Sequence, residues 1–236
     1  MIRALIFDFD GLILDTEGPD YQAWQEIYQD YGAQLPLPVW ADCIGRGHGA
    51  FDPVAYLEAR IGRSLDRAAL RARHRQRCDA LIAAQPLRPG VVEYLQAARR
   101  RGLRLAVASS SSRAWVEGHL RQRDLRPFFD CLRCADDVAQ TKPAPDLYQA
   151  ALAALGVSPR QAVALEDSPN GVLAAKRAGL FCVAVPNGLT GQLTFDHADL
   201  VVPSLADLPL ERLLAVVAER QREVGGPEGV VSCEWP

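Results

Sequence analysis

The chain opens on Ile2-Arg3-Ala4-Leu5-Ile6-Phe7-Asp8-Phe9-Asp10-Gly11-Leu12-Ile13-Leu14-Asp15-Thr16-Glu17, an apolar run that feeds two carboxylates spaced two apart and then a glycine. A short apolar run bounded by turn signals reads as a strand buried on both faces, and such strands belong to parallel sheets covered by helices. Parallel sheets bind ligands beyond the carboxyl ends of their strands, where Asp8 and Asp10 fall. Side chains at i and i+2 share a face, so the two acids are expected to converge on one small object. At an effective dielectric of 20, two like charges 4 Å apart repel by roughly 4 kcal/mol. A cation, most simply a metal ion, would relieve that repulsion. Taken alone, the pair fits solvated acids or caps in the turn after a strand equally well.

The rest of the chain supplies the context. A helical block follows, with apolar spacing over Tyr21–Tyr31 stopping at Gly32, then Asp52–Ile61 and an arginine-rich Asp66–Ala84. Pro86, Pro89 and Gly90 break the pattern as a linker. Helices and strands then alternate: helix Val91–Arg101, strand Leu103–Ala108, helix Ser112–Arg121, strand Asp130–Arg133 and helix Asp146–Leu155. Strand Ala162–Leu165, helix Pro169–Ala178, strand Phe181–Val185, strand Leu200–Val202 and helix Leu210–Arg222 complete the series. This alternation predicts an α/β fold, a doubly wound parallel, Rossmann-like sheet core with an inserted small α-helical cap. The expected division is a core of residues 1–15 and 87–223, a cap of 16–86, and a flexible, Gly- and Pro-rich tail of 224–236.

Composition narrows the function classes. With 236 residues and a net charge of −3, the chain has room for a core plus a small insertion and carries no basic footprint for nucleic acid or anionic membrane. No apolar stretch approaches the ~20 residues of a transmembrane helix. The first apolar run already holds Asp8 and Asp10, so it lacks a signal-peptide layout, and a cytoplasmic location is expected. The six scattered cysteines read as free thiols; Cys131 and Cys134 have zinc-site spacing but no second pair. The only lysines are Lys142 and Lys176 among many arginines, which draws attention to each.

Three further strand ends or loops carry polar residues suited to phosphate chemistry. Ser109-Ser110-Ser111-Ser112 opens a helix, whose N-terminus favours an anion; one serine suffices as a cap, and four suggest an oxyanion cradle. Lys142 lies in Thr141-Lys142-Pro143-Ala144-Pro145, held by prolines before a helix. Glu166-Asp167-Ser168-Pro169 ends another strand; a capping role accounts for one acid, and a hard cation such as Mg2+ accounts for both.

This ordered set resembles the haloacid dehalogenase superfamily of phosphohydrolases over residues 1 to about 203, closest to the branch of beta-phosphoglucomutase and small sugar-phosphate phosphatases. The resemblance implies an aspartyl-phosphate enzyme in which Asp8 is the nucleophile and Asp10 the general acid/base. Ser109 and Lys142 would hold the transferring oxygens. Mg2+ would be held by Asp8, the backbone carbonyl of Asp10 and Asp167, with Glu166 in or near its coordination sphere. Ser110, Ser111, Arg113 and the cap-loop residues Arg46 and His48 would face the substrate.

Departures refine the expectation. The dehalogenases lack an acid at the Asp10 position, and phosphonoacetaldehyde hydrolases need a cap lysine that residues 16–86 do not contain. The mutases carry a histidine where this chain has Asp20, which favours hydrolysis over a phosphosugar mutase. The expected function is Mg2+-dependent hydrolysis of a small-molecule phosphate ester by a monomer, with no nucleic-acid or membrane partner. The rival classes are a receiver-type signalling domain, whose acceptor Asp lies on a middle strand, and a non-catalytic binding protein, which would lack one of the acids, Ser109 or Lys142.

Overall fold

The computed structural model describes residues 1–41, 44–45 and 51–224. Among them, six strands form one sheet: β1 (Ala4–Phe7), β2 (Arg104–Ala108), β3 (Cys131–Arg133), β4 (Ala162–Glu166), β5 (Phe181–Ala184) and β6 (Leu200–Val201). The spatial order is β3-β2-β1-β4-β5-β6, and every neighbouring pair is parallel. The chain steps one way from β1 to β3, then crosses to β4 on the other side of β1. That reversal opens a crevice at the carboxyl ends of β1 and β4. Phe7 is in register with Leu165 and Val107, so Asp8 emerges beside Glu166.

Strict alternation along the strands builds two unlike faces. Leu5, Phe7, Leu105, Val107, Val163, Leu165 and Val183 meet α5 (Val91–Arg100), α6 (Arg113–Gln122) and α9 (Leu210–Val224) in one core. Ala4, Ile6, Ala106, Ala108, Ala162, Ala164, Cys182 and Ala184 meet α7 (Asp146–Leu155) and α8 (Pro169–Arg177) in the other. The second face is mostly alanine, so α7 and α8 approach the sheet closely and bring Tyr148 toward the strand ends. The α/β, doubly wound expectation holds.

Between β1 and α5 lie α1 (Glu17–Asp30), α2 (Leu37–Ala41), α3 (Pro53–Ile61) and α4 (Arg67–Ala83). Asp52 caps α3 by accepting from the Val54 and Ala55 amides, with Pro53 in the first turn, and Asp66 caps α4 through the Ala69 amide. The sequence pattern anticipated these helices but not α2, a single turn in a Pro-rich segment. These helices share a core of their own, including Trp24, Ile27, Tyr28, Trp40, Val54 and Leu57. Two chain segments join this block to the sheet side by side, with Leu14 bridging Leu87 and the Arg88 amide donating to the Ile13 carbonyl at 3.0 Å. At the other end, α9 runs on to Val224, two residues past its expected end at Arg222.

Gly90 is one position where the fold uses a glycine's backbone freedom. It precedes α5 at φ +86°, and a Cβ there would lie 2.3 Å from the Ala206 amide nitrogen and 2.5 Å from the Leu205 carbonyl carbon. Gly90→Ala is expected to lower unfolding stability by about 2–4 kcal/mol, combining a left-handed penalty with displacement of rigid backbone. Urea unfolding with an unchanged m-value would measure it.

Candidate active site

Asp8 follows β1, its amide donating to the Leu165 carbonyl at 2.9 Å, and its side chain is 5% exposed. Lys142 reaches it from the loop before α7, with Nζ 2.6 Å from Asp8 Oδ1 and 2.6 Å from Glu166 Oε1. Burying an ammonium is costly, but two carboxylates hold the Lys142 pKa above the ordinary lysine value. Tyr148 of α7 donates its phenol to the same Glu166 oxygen. Asp167 lies beside them, and Asn187, in the turn after β5, donates to its Oδ2 at 2.8 Å.

Two glycines make this packing possible. A Cβ on Gly171 would sit 1.9 Å from Glu166 Oε2, and one on Gly11, at φ +82°, would sit 2.0 Å from Asp167 Oδ2. Without side chains, both let the backbone close around the acids.

Asp10 lies near enough to Asp8 for its charge to raise the Asp8 pKa, and its carboxylate is held by a separate set of donors. Thr16 Oγ1 donates to Oδ1 at 2.8 Å and Trp115 Nε1 to the same oxygen at 2.9 Å, while Ser109 and Ser111 Oγ donate to Oδ2 at 3.0 and 2.7 Å. Three of these partners are hydroxyls, which can turn to donate or accept. Thr16, placed to cap α1, makes no capping bond and serves Asp10 instead.

The four serines divide the work. Ser109 and Ser111 hold Asp10, Ser110 donates to the Gly45 carbonyl at 3.0 Å, and Ser112 caps α6 through the Trp115 amide. Arg113 does not face the cleft: its guanidinium is committed to Asp137 at 2.7 Å and to the Leu132 carbonyl at 3.2 Å. Sequence neighbourhood misplaced it, because α6 turns position 113 toward the loop after β3. Arg46 and His48 lie outside the described residues. The helical block touches the site at Ile44 and Gly45, whose carbonyls accept from Asn170 at 2.8 Å and from Ser110.

The donor set tests the implied metal. Single oxygens of Asp8, Glu166 and Asp167 all lie within 4.8 Å of one another, and the three carboxylates are 3%, 0% and 1% exposed. Against them stands one buried cation, Lys142. Burial and the neighbouring Glu166 and Asp10 charges raise the Asp8 pKa to about 7, despite the opposing Lys142. Burial and the Asp8 and Glu166 charges push Asp167 well above the usual carboxylate range. A hard divalent cation bound by oxygen offsets this excess of negative charge, so the residues fit Mg2+. Glu166 Oε1 takes both Lys142 and Tyr148, whereas Asp8 takes Lys142 alone, which leaves Asp8 and Asp167 as the better placed ligands.

Thr16, Trp115, Tyr148 and Asn187 were not anticipated from the sequence. Asn187 follows a strand end within Pro186-Asn187-Gly188, and that position was its one available signal.

Comparison with known proteins agrees with this geometry. Residues 2–179 match the family model of the haloacid dehalogenase-like hydrolases. YhcW of Bacillus subtilis is 49% identical over 214 residues, covering 91% of this chain and 97% of that protein. The validoxylamine A 7'-phosphate phosphatase of Streptomyces hygroscopicus is 32% identical, covering 88% and 96%. A crystal structure of a CbbY variant from Rhodobacter sphaeroides, in complex with xylulose-(1,5)bisphosphate, superposes with a TM-score of 0.69 at 34% identity, over 90% of this chain and 99% of that one. The chain belongs to the haloacid dehalogenase-like hydrolases.

Proposed function

We propose that this chain is a Mg2+-dependent phosphatase of small phosphate esters, sugar phosphates foremost, acting through an aspartyl-phosphate on Asp8. The observation that carries the reading is the Lys142 bridge between Asp8 and Glu166, beside Asp167 and within reach of an independently held Asp10. The names of the relatives support a phosphorylated sugar-like substrate, since one acts on validoxylamine A 7'-phosphate and another binds xylulose-(1,5)bisphosphate.

In this mechanism an Asp8 oxygen attacks phosphorus as the ester P–O bond breaks. Asp10 gives its proton to the departing oxygen. Asp10 then takes a proton from water as that water attacks phosphorus, releasing inorganic phosphate and restoring Asp8. In this reading Lys142 and Ser109 donate to the transferring oxygens, with the Ser109 hydroxyl turning from Asp10 to do so. Mg2+ held by Asp8 and Asp167 would supply charge neutralisation, letting one anion approach another. Residues 16–86 act as a cap over this site, docked through Ile44 and Gly45, and exclude water while selecting the leaving group. Asp20 in place of the mutase histidine favours water as final acceptor. Among the described residues, no helix is long and apolar enough to cross a membrane.

The test is phosphate release from a panel of sugar phosphates and other small esters. Turnover is expected with Mg2+ and to be lost on chelation; interconversion of sugar-phosphate isomers without phosphate release would overturn the reading. The pH dependence has a definite sign. With Asp8 held at about 7, the metal must displace a proton below that pH. Apparent Mg2+ affinity is therefore expected to fall by up to about tenfold per pH unit below 7.

A further inference from the structure

A second group of ligand-bearing side chains lies in the helical block, outside the machinery above. His74 and Cys78 are four apart on α4 and so share one face of that helix. Asp20 faces them from α1. One ligand atom from each of the three lies within 4.8 Å of the others. His74 Nε2 is 2.7 Å from Asp20 Oδ1, and the imidazole stacks on Trp24 with centroids 4.2 Å apart and planes at 15°. The ring is therefore clamped with its nitrogen aimed at the triad. Cys78 is 8% exposed, whereas the Asp20 side chain is 38% exposed, so the cluster is closed on the sulfur side and open to solvent on the carboxylate side.

We propose that Asp20, His74 and Cys78 form a binding site for a borderline-soft divalent cation of the zinc type, distinct from the oxygen-only cluster at Asp8. The mix of thiolate, imidazole and carboxylate selects Zn2+ or Co2+ over Mg2+, which takes oxygen ligands. Tetrahedral zinc places its ligand atoms about 3.3–3.8 Å apart, so the Asp20–His74 pair must open by under about 1 Å to admit the ion. The fourth position lies on the solvent side. Binding exchanges one proton for the metal: the Cys78 S–H bond breaks, its electron pair goes to the cation, and the proton goes to solvent. His74 coordinates through Nε2, the ring nitrogen that faces Asp20.

The position gives the site a structural consequence. α1 starts at Glu17, just after the first connection to the sheet, and α4 ends at Ala83, just before the second. A metal held by one residue of α1 and two of α4 would pin the pair at the base of the helical block.

The probe is Co2+, titrated into the reduced full-length protein in the presence of excess Mg2+ and followed by its thiolate charge-transfer absorption. Oxygen ligation at Asp8 gives no such band, so this result is independent of the phosphatase reading. The expected result is one Co2+ per chain, displaced by Zn2+, with the band retained in a Cys131→Ala/Cys134→Ala variant and lost in Cys78→Ala. His74→Gln, which keeps the side-chain bulk, is expected to weaken binding by at least about tenfold. Zinc should raise the Tm of wild type and leave that of a folded Cys78→Ala unchanged. No thiolate band in wild type, or a band that survives Cys78→Ala, overturns the proposal and leaves Asp20–His74 as a plain hydrogen-bonded pair.

Discussion

Asp8→Asn is expected to lower phosphate release by at least about 10³-fold while leaving the metal-free protein as stable as wild type, or more so. The loss follows from the chemistry: an amide oxygen of nearly the same shape lacks the charge to attack phosphorus, and removing a nucleophile costs a rate of this order or more. The stability half follows from the electrostatics. Burial and neighbouring carboxylates hold Asp8 near 7 instead of the ordinary value of 3.8, so ionised Asp8 opposes folding. A carboxyl with a raised folded-state pKa binds more protons when folded, so its contribution to stability falls as pH rises from about 4 to about 7 and stays low above that. Asparagine removes this penalty, and Lys142 keeps Glu166 as partner. Phosphate-release rates and thermal melts in chelator at pH 6 and 8 check both halves. The variant should show a smaller Tm difference between the two pH values than wild type. A marked loss of stability in Asp8→Asn would mean that the Asp8–Lys142 pair is a net stabiliser and that the site is not strained as described.

That strain explains which parts of the site were legible in the sequence. Asp8, Glu166 and Asp167 stand out because strands buried on both faces should not end in clustered acids. Lys142 stands out as one of two lysines in an arginine-rich chain. Elements from β2 onward read well because short apolar strands of two to five residues alternate with helices bounded by Gly, Pro and Ser. What was illegible depends on the direction in which a side chain leaves its element. Arg113 adjoins the serine run yet pairs with Asp137, while Trp115, two residues on, donates to Asp10. Asp8 and Asp10 read as a pair from their spacing, but the donors that hold each of them come from elements far away in sequence, Lys142 for one and Trp115 for the other. Asn187 and Tyr148 act only through folding, since each reaches its acid from an element about 20 residues away in sequence. The alanine-lined sheet face shows the same limit: alternation tells which residues are buried, and not that one face is lined by small side chains so that α7 can come close.

The same charge balance predicts the opposite outcome for the cation. Lys142→Met keeps the length and apolar stem of the side chain but leaves Asp8 and Glu166 facing each other, buried, with their shared counter-charge gone. Breaking a buried ion pair from one side costs about 3–5 kcal/mol, because the stranded charge must be protonated or hydrated. For a chain of this size that is a fall of about 6–20 °C in Tm. Activity should drop by about 10²–10³-fold as well, since the transferring oxygens lose a cationic donor. Thermal melts with and without Mg2+ separate the two effects: a divalent cation at Asp8 and Asp167 restores part of the stability, but it cannot supply the ammonium between Asp8 and Glu166. The double variant Asp8→Asn/Lys142→Met closes the argument. With one of the two stranded carboxylates gone, Asp8→Asn should stabilise Lys142→Met by more than it stabilises wild type, and that non-additivity measures the coupling between residues 8 and 142. Additive effects of the two substitutions would show that Lys142 stabilises the fold through its packing, with its charge contributing little.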